Sequence, residues 1–455
     1  MVFPFLAIVH LILGVNYLFW RLTAGRGDPQ LWSDLVFVAE AFVWTAAVGW
    51  SLSCLGQQPL QRHPELSVEA PVDVWVIRRR DSLATLEQTL KAIRALDYPA
   101  TAMTVEVLDL QEADPAVAEF LQTHAVGYHV CNGVRDPWDV ALSCGTSPYL
   151  FFLEPGHLPD PPVLKDSIQV LTANPGVAYT QAQVRGLGQP HVIHPLQHMT
   201  VVGRDGRGVA PLLGTGCVIR RQALTTLQGS LDSRQPVSLG SRLHYLGWTG
   251  ELVSSQVVGA LLPLRNRRVA LLAILNALRV NPIFAGRASQ QQRFQYLWLG
   301  LWSLSGLAIL IYLLVPVLYL IWGIAPVPSF GRDYFLRFLP YLLLGRLTWI
   351  AAFWGIWGQA WQAERQMGSQ FFQSLQATGQ WLLGQSGYRE RPSQWSIWPQ
   401  VVMTLLLLTG IVVGCLRFAA DWEITWGALI FALLWSLYGL AMVTARPPGV
   451  WQRES

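Results

Sequence analysis

Three sets of residues have types or spacing that could do chemistry. Thiolates hold zinc or pair as disulfides, but Cys54, Cys131, Cys144, Cys217 and Cys415 are scattered without a Cys-x-x-Cys pair. Neither a zinc site nor a disulfide framework is expected from them, and they read as small buried residues. Gly203-Arg-Asp-Gly-Arg-Gly208 has the glycine content of a phosphate cradle. A cradle needs a helix start behind it, and none follows, so a loop is expected. Arg346 stands alone in the otherwise uncharged run 338–357. An ionised side chain in lipid is costly and marks ion or substrate paths, which raises a channel or carrier gated by a soluble domain. The competing expectation is that Arg346 snorkels or pairs within a helix bundle.

The elements around these residues are set by composition. Of 455 residues, 52% are hydrophobic and 13% charged, and the uncharged runs are long enough to cross a bilayer. A multi-pass membrane protein is expected, with the lipid bilayer as a partner. The net charge is +4, and Lys91 and Lys165 are the only lysines, so no nucleic-acid footprint is present. Apolar segments at 2–20, 35–55, 294–330, 338–357, 398–416 and 426–443 predict about six transmembrane helices. Trp20, Trp50, Trp298, Trp322, Trp357 and Trp398 fall near their ends, where indole rings anchor at the interface.

Between the second and third helices the pattern changes. Val72–Ile77 and Val105–Leu108 read as strands around a helix over Leu83–Leu96, and Tyr149–Leu153 is a wholly apolar strand of the parallel-sheet kind. Strand, helix, strand predicts an α/β domain. The expected division is two N-terminal helices in 1–56, a linker in 57–71, the α/β domain in 72–263 and an interfacial helix region in 264–293. Helices three and four follow in 294–358, a cytoplasmic interfacial segment in 359–397, helices five and six in 398–445, and a tail in 446–455. Arg365, Arg389, Arg391, Arg446 and Arg453 flank the domain side, against Arg21, Arg26, Arg332 and Arg337 opposite. The bias is five arginines to four, and the domain is expected in the cytoplasm at a plasma (inner) membrane chiefly because of the ligands that such a domain would meet there.

The local wording then resembles one family. Val72-Asp-Val-Trp-Val-Ile77, Arg94-Ala-Leu-Asp-Tyr-Pro99, Val107-Leu-Asp109, Leu213-Gly-Thr-Gly-Cys-Val-Ile-Arg-Arg-Gln-Ala-Leu224 and Leu243-His-Tyr-Leu-Gly-Trp248 are similar, in this order, to segments of the cellulose synthase-like processive glycosyltransferases of family 2. The resemblance implies a nucleotide-sugar-transferase (GT-A-like) domain inserted in the membrane bundle. It also implies Mg2+ or Mn2+ with a UDP-sugar if the chain is active, because carboxylate-held cations stabilise a departing diphosphate and a further carboxylate must act as general base.

The residues that should do this are largely replaced. Where the family reads Val-Leu-Asp-Asp-Gly, the chain has Val107-Leu-Asp-Leu-Gln111, which leaves Asp109 as a nucleotide-binding candidate. The nucleotide loop falls on Val134-Arg-Asp-Pro-Trp-Asp139, where Arg135 is the candidate. The metal-binding Asp-x-Asp becomes Glu154-Pro-Gly156, leaving Glu154 as a weak metal candidate with His157 beside it. The general-base position falls on Arg234-Gln-Pro236, with Asp232 the nearby substitute, and the Gln-x-x-Arg-Trp motif falls on Arg265–Val269, where Arg268 survives to face a diphosphate. The tempting Gln290-Gln-Gln-Arg-Phe294 lies after the Asn281-Pro282 that ends the interfacial helix, so it is a decoy. No cofactor is expected with assurance. The leading expectation is a catalytically inactive regulatory, binding or structural subunit linked to polysaccharide synthesis, with another synthase subunit or a glycan as partner. The alternative is an active inverting polymerase using Asp109, Glu154, Asp232 and Arg268.

Overall fold

The computed structural model describes residues 2–55, 69–79, 81–131, 136–186, 189–193, 208–227, 231, 236–259, 271–272, 274–276, 286–328, 330–352, 357–384, 398–420 and 424–444. Two compact units emerge, one of Met1–Leu55, Leu264–Leu272 and Gly300–Ser455, the other of Gly56–Pro263 and Ala273–Leu299.

The chain opens with helices α1 (Val2–Thr23) and α2 (Gln30–Leu55). The second unit follows with β1 (Val72–Arg78), α3 (Leu83–Arg94), β2 (Met103–Asp109), α4 (Pro115–Thr123), β3 (Gly127–Val130), α5 (Pro137–Cys144) and β4 (Tyr149–Leu153). Next come β5 (Leu158–Pro159), α6 (Val163–Ala173), β6 (Val177–Gly186), β7 (Gln189–Ile193), β8 (Cys217–Arg220), α7 (Arg221–Thr225), α8 (Pro236–Tyr245) and β9 (Thr249–Gly259).

These strands form one mixed sheet in the order β3-β2-β1-β4-β8-β6-β9-β5, with β7 on β6. The first four strands are parallel, and β8 runs antiparallel to β4. Local signals explain the crossovers. Ser82 caps α3 through its side chain, and Asp114 and Asp136 cap α4 and α5, each followed by a proline whose missing N–H is harmless in the first turn. Period-two alternation sorts β1 between two cores. Val72, Val74 and Val76 join Leu86, Leu90 and Ile93 of α3, whereas Trp75 and Ile77 join Trp138, Phe152 and Leu239 on the opposite face.

A buried ionic cluster fixes the N-terminal edge of β1. Asp73 accepts from Ser147 N at 3.0 Å, Ser147 Oγ at 2.6 Å and Arg221 Nη2 at 2.9 Å. The same arginine donates to the carbonyls of Ser147 and Leu142, both at 2.6 Å. Its neighbour Arg220 donates to the carbonyls of Val177, Leu171 and Asn174, tying β8 to the end of α6.

The remaining helices are α9 (Gln290–Ser303), α10 (Ser305–Trp322), α11 (Arg332–Ala352), α12 (Trp357–Ser369), α13 (Phe371–Leu382), α14 (Trp398–Ala419) and α15 (Trp426–Val443). Among the described residues, five helical stretches are long and apolar enough to span a bilayer: Val2–Thr23, Gln30–Gly49, Gln290–Trp322, Trp398–Ala419 and Trp426–Val443. The expected span at 338–357 falls on α11, which is not one of the five and carries Arg332, Asp333, Arg337 and Arg346. It nevertheless packs along α1. The segment expected to be interfacial in 359–397 holds, among its described residues, most of α12 and all of α13, broken at Gln370, and α13 crosses α10 closely at Gly306. The other, the interfacial helix region expected in 264–293, lies mostly outside the described residues. Lipid-facing stripes remain legible: Phe5, Ile12 and Phe19 on α1, and Leu405, Val412 and Leu416 on α14, are all exposed.

Ion pairs lie within the membrane unit. Arg21 Nε meets Glu40 Oε2 at 2.8 Å, Tyr17 donates to Glu40 Oε1 at 2.7 Å, and Arg21 also donates to the carbonyls of Gly25, Ser33 and Pro326. Arg346 pairs with Glu364 of α12 and lies 4.8 Å from the Tyr438 ring centroid, which is the pairing alternative for an intramembrane charge. Around these groups, Tyr17, Tyr334, Phe338, Phe431 and Trp435 interlock α1, α11 and α15.

Candidate functional site

In open α/β sheets a ligand crevice forms at the C-terminal ends of the strands where the strand order reverses. Here the order β3-β2-β1-β4 places that point between β1 and β4. The residues at its rim are Arg78 and Arg79 after β1, Asp109 to Gln111 after β2, and Glu154 to His157 after β4.

Asp109 is enclosed. Its side chain has 0% exposure, and it accepts from Arg78 Nη1, from Tyr128 OH at 3.2 Å and from Gln111 N at 3.0 Å. Parallel register sets this pairing, because Arg78 and Asp109 are partners at the ends of β1 and β2. Arg78 also donates to Asp114 Oδ2 at 3.2 Å and to the Asp81 carbonyl at 3.1 Å. Burial works against the Arg78 charge, but Asp109 and Asp114 outweigh it and raise its pKa above the ordinary guanidinium value.

The end of β4 offers little to a cation. Glu154 is half-buried and is followed by Pro155 and by Gly156, whose φ of +84° lies in the left-handed region. Gly156 N donates to Thr89 Oγ1 at 2.8 Å, and a Cβ placed there would stand 2.9 Å from Thr85 Cγ2. A side chain at 156 would therefore be both strained and crowded. His157 is buried, its Nδ1 is 3.3 Å from the Glu154 carbonyl, and its Nε2 has no protein partner. Among the described residues no three His, Cys, Asp or Glu side chains converge as a metal site. The described residues at the end of β4 do not fit a carboxylate-held Mg2+ or Mn2+.

Of the site residues expected from sequence, Asp109 and Glu154 lie on this rim, while Arg135, Asp232 and Arg268 lie outside the described residues. Arg78 went unnoticed in the sequence. Its signal was the position of a basic run, Arg78-Arg-Arg80, at the end of the strand parallel to the one ending in Asp109.

The segments that resemble the family's wording serve as scaffold. Tyr98 donates to the Ala70 carbonyl at 2.6 Å, and Arg220 and Arg221 hold the sheet as described. Gln292 Nε2 and Arg293 Nε, inside the Gln290–Phe294 decoy, donate to the carbonyls of Gly208 and Ala288. His244 lies buried between Tyr296 OH at 2.9 Å from Nδ1 and Tyr179 OH at 3.3 Å from Nε2. Tyr179 donates its own proton to the Ala210 carbonyl at 2.5 Å, so His244 is a neutral ring that donates from Nε2 and accepts at Nδ1.

Burial lowers the His244 pKa from 6.5 to about 3. The unfolded chain therefore binds a proton that the folded chain refuses. The stability contributed is full above pH 6.5 and is lost as pH falls towards 3. Chemical denaturation at pH 7.5 and pH 5 should show weaker folding at the lower pH, and His244→Gln should flatten that slope. A slope unchanged by the substitution would contradict this assignment.

Comparison with known proteins gives the class in two steps. The solved structure of the mannosyltransferase PcManGT from Pyrobaculum calidifontis, in complex with GDP-Man and Mn2+, aligns with a TM-score of 0.55 at 15% identity, covering 78% of this chain and 99% of that one. The second unit thus has the glycosyltransferase GT-A fold. No family model matches. The chain is 23% identical over 380 residues to the UDP-forming cellulose synthase catalytic subunit of Pseudomonas fluorescens SBW25, covering 75% of this chain and 51% of that protein. It is 24% identical over 253 residues to putative cellulose synthase 2 of Komagataeibacter xylinus, covering 50% of this chain and 16% of that protein. The chain thus spans about half the length of the first of these relatives and less of the second. Sequence similarity and fold together support a relationship to the cellulose synthase-like family 2 glycosyltransferases, and the long apolar helices mark a membrane protein.

Proposed function

We propose that this chain is a catalytically silent member of its class, acting as a binding, regulatory or structural membrane subunit linked to polysaccharide synthesis. The end of β4 carries the reading. Transfer from a nucleotide-sugar by the plan of this class needs paired carboxylates on a cation, and Glu154 is followed there by Pro155 and by Gly156, held against α3 with a positive φ.

The enclosed Asp109 supports the same reading, since all three of its hydrogen-bond donors are the protein's own. The partner would be another synthase subunit or a glycan. The soluble unit would face the cytoplasm at the plasma membrane, where nucleotide-sugars are met. Arg21 lies buried against Glu40, so it drops out of the loop charges that oppose this orientation and the positive-inside bias sharpens. The test is sugar transfer from labelled UDP-glucose or GDP-mannose by purified protein with Mg2+ or Mn2+: none is expected, and product that requires Asp109 would overturn the reading.

A further inference from the structure

We infer that Arg78 is a built-in occupant of the nucleoside end of the crevice, which it locks against nucleoside diphosphates. An acid closing the second strand of a sheet of this topology is the group that receives ligand hydroxyls at the reversal point. In this chain that acid already has a resident ligand of opposite charge.

The geometry is that of a designed contact. Arg78 closes β1, in register with Asp109, and its guanidinium reaches three separate segments: Asp109 at the end of β2, Asp114 at the cap of α4 and the Asp81 carbonyl before α3. Tyr128 of β3 closes the ring, donating to Asp109 Oδ2 and accepting from Asp114 N, both at 3.2 Å. The arginine side chain is 11% exposed and Asp109 is fully covered. A nucleoside reaching Asp109 would have to displace a charge-assisted hydrogen bond between partners largely shielded from water, the strong kind. Loss of that competition should raise affinity by roughly ten- to a hundredfold, the equivalent of one hydrogen bond to a charged group.

The lock rests on the reading of the crevice as one that does not turn a donor over, yet the two fail separately. Sugar transfer by the wild-type protein sinks the silent reading. UDP affinity indifferent to residue 78 sinks only the lock.

The experiment is a calorimetric titration of UDP and GDP into the full-length protein in nanodiscs, comparing wild type, Arg78→Ala and Arg78→Ala/Asp109→Asn. Wild type should show no saturable binding at millimolar nucleotide, Arg78→Ala should bind roughly ten- to a hundredfold more tightly than that limit, and the double variant should lose the gain. Arg78→Val keeps a strand-forming side chain, offers no donor to Asp109 and carries the same comparison if Arg78→Ala fails to fold. Wild-type UDP binding that Asp109→Asn abolishes would overturn the lock. So would a folded Arg78→Ala or Arg78→Val protein with no gain in affinity.

Discussion

Glu40→Ala is expected to destroy the stable packing of the membrane unit. The substitution removes the only carboxylate on Arg21 among the described residues, leaves its fully covered side chain without a counter-charge there, and takes the acceptor from Tyr17. Carbonyls of Gly25, Ser33 and Pro326 would remain around the guanidinium, but dipoles do not neutralise a charge. Breaking a buried pair by deleting one partner costs roughly 3–5 kcal/mol, because the survivor stays buried and uncompensated. The arginine also joins α1 and α2 to the chain after α10, with Ser33 Oγ donating to the Pro326 carbonyl at 2.8 Å, so the damage should spread across helices. Thermal aggregation of the detergent-solubilised protein, followed by size-exclusion chromatography, should show Glu40→Ala aggregating well below wild type and Glu40→Gln between them. Arg21→Met/Glu40→Leu should recover much of the loss, since replacing both charges with apolar groups removes the penalty. Wild-type behaviour of Glu40→Ala would show that the pair contributes nothing.

Asp73→Ala should do comparable harm to the soluble unit. Its carboxylate is nearly covered and serves three donors from Ser147 and Arg221, joining β1 to the approach to β4 and to α7. Loss of the acid strands the Arg221 guanidinium and two Ser147 donors, a cost of roughly 3–5 kcal/mol. In a unit of this size that corresponds to a fall in Tm of about 10 °C. Asp73→Asn keeps acceptor shape without the charge and should fall between. Limited proteolysis of the full-length protein reads the result, with Asp73→Ala cleaved within the α/β unit at temperatures where wild type is resistant. Equal resistance would contradict the cluster's structural role.

Local signals carried much of the fold. The wholly apolar run Tyr149–Leu153 has the pattern of a strand inside a parallel sheet, and it is β4, buried on both faces. Helix α3 was visible in its apolar spacing and ends two residues before the expected boundary, at Arg94. The membrane region was less legible, because a charge-free stretch does not say where it bends: 294–330 contains two helices, α9 and α10, separated at Leu304. Residues 338–357 looked like a span with one charge, whereas the helix there starts at Arg332 and brings three further charged residues with it.

The site divided along the same line. That Gly156 cannot supply a carboxylate was plain from the sequence, since it has no side chain. That Asp109 is not free was invisible, because its partner Arg78 lies 31 residues earlier and meets it only once two parallel strands pair in register. Arg346 was ambiguous for a related reason: Glu364 sits on a different helix, and only tertiary packing shows the pair. Motifs report local chemistry, and non-local contacts decide whether that chemistry is available.

Sugar transfer tests the central claim most directly. Purified full-length protein in nanodiscs, given radiolabelled UDP-glucose or GDP-mannose with Mg2+ and then with Mn2+, should neither form polymer nor release free sugar above a protein-free control. Polymer or sugar release that depends on the divalent cation and disappears in Asp109→Ala would contradict the account, and would mean that the crevice opens and that relocated acids do the chemistry.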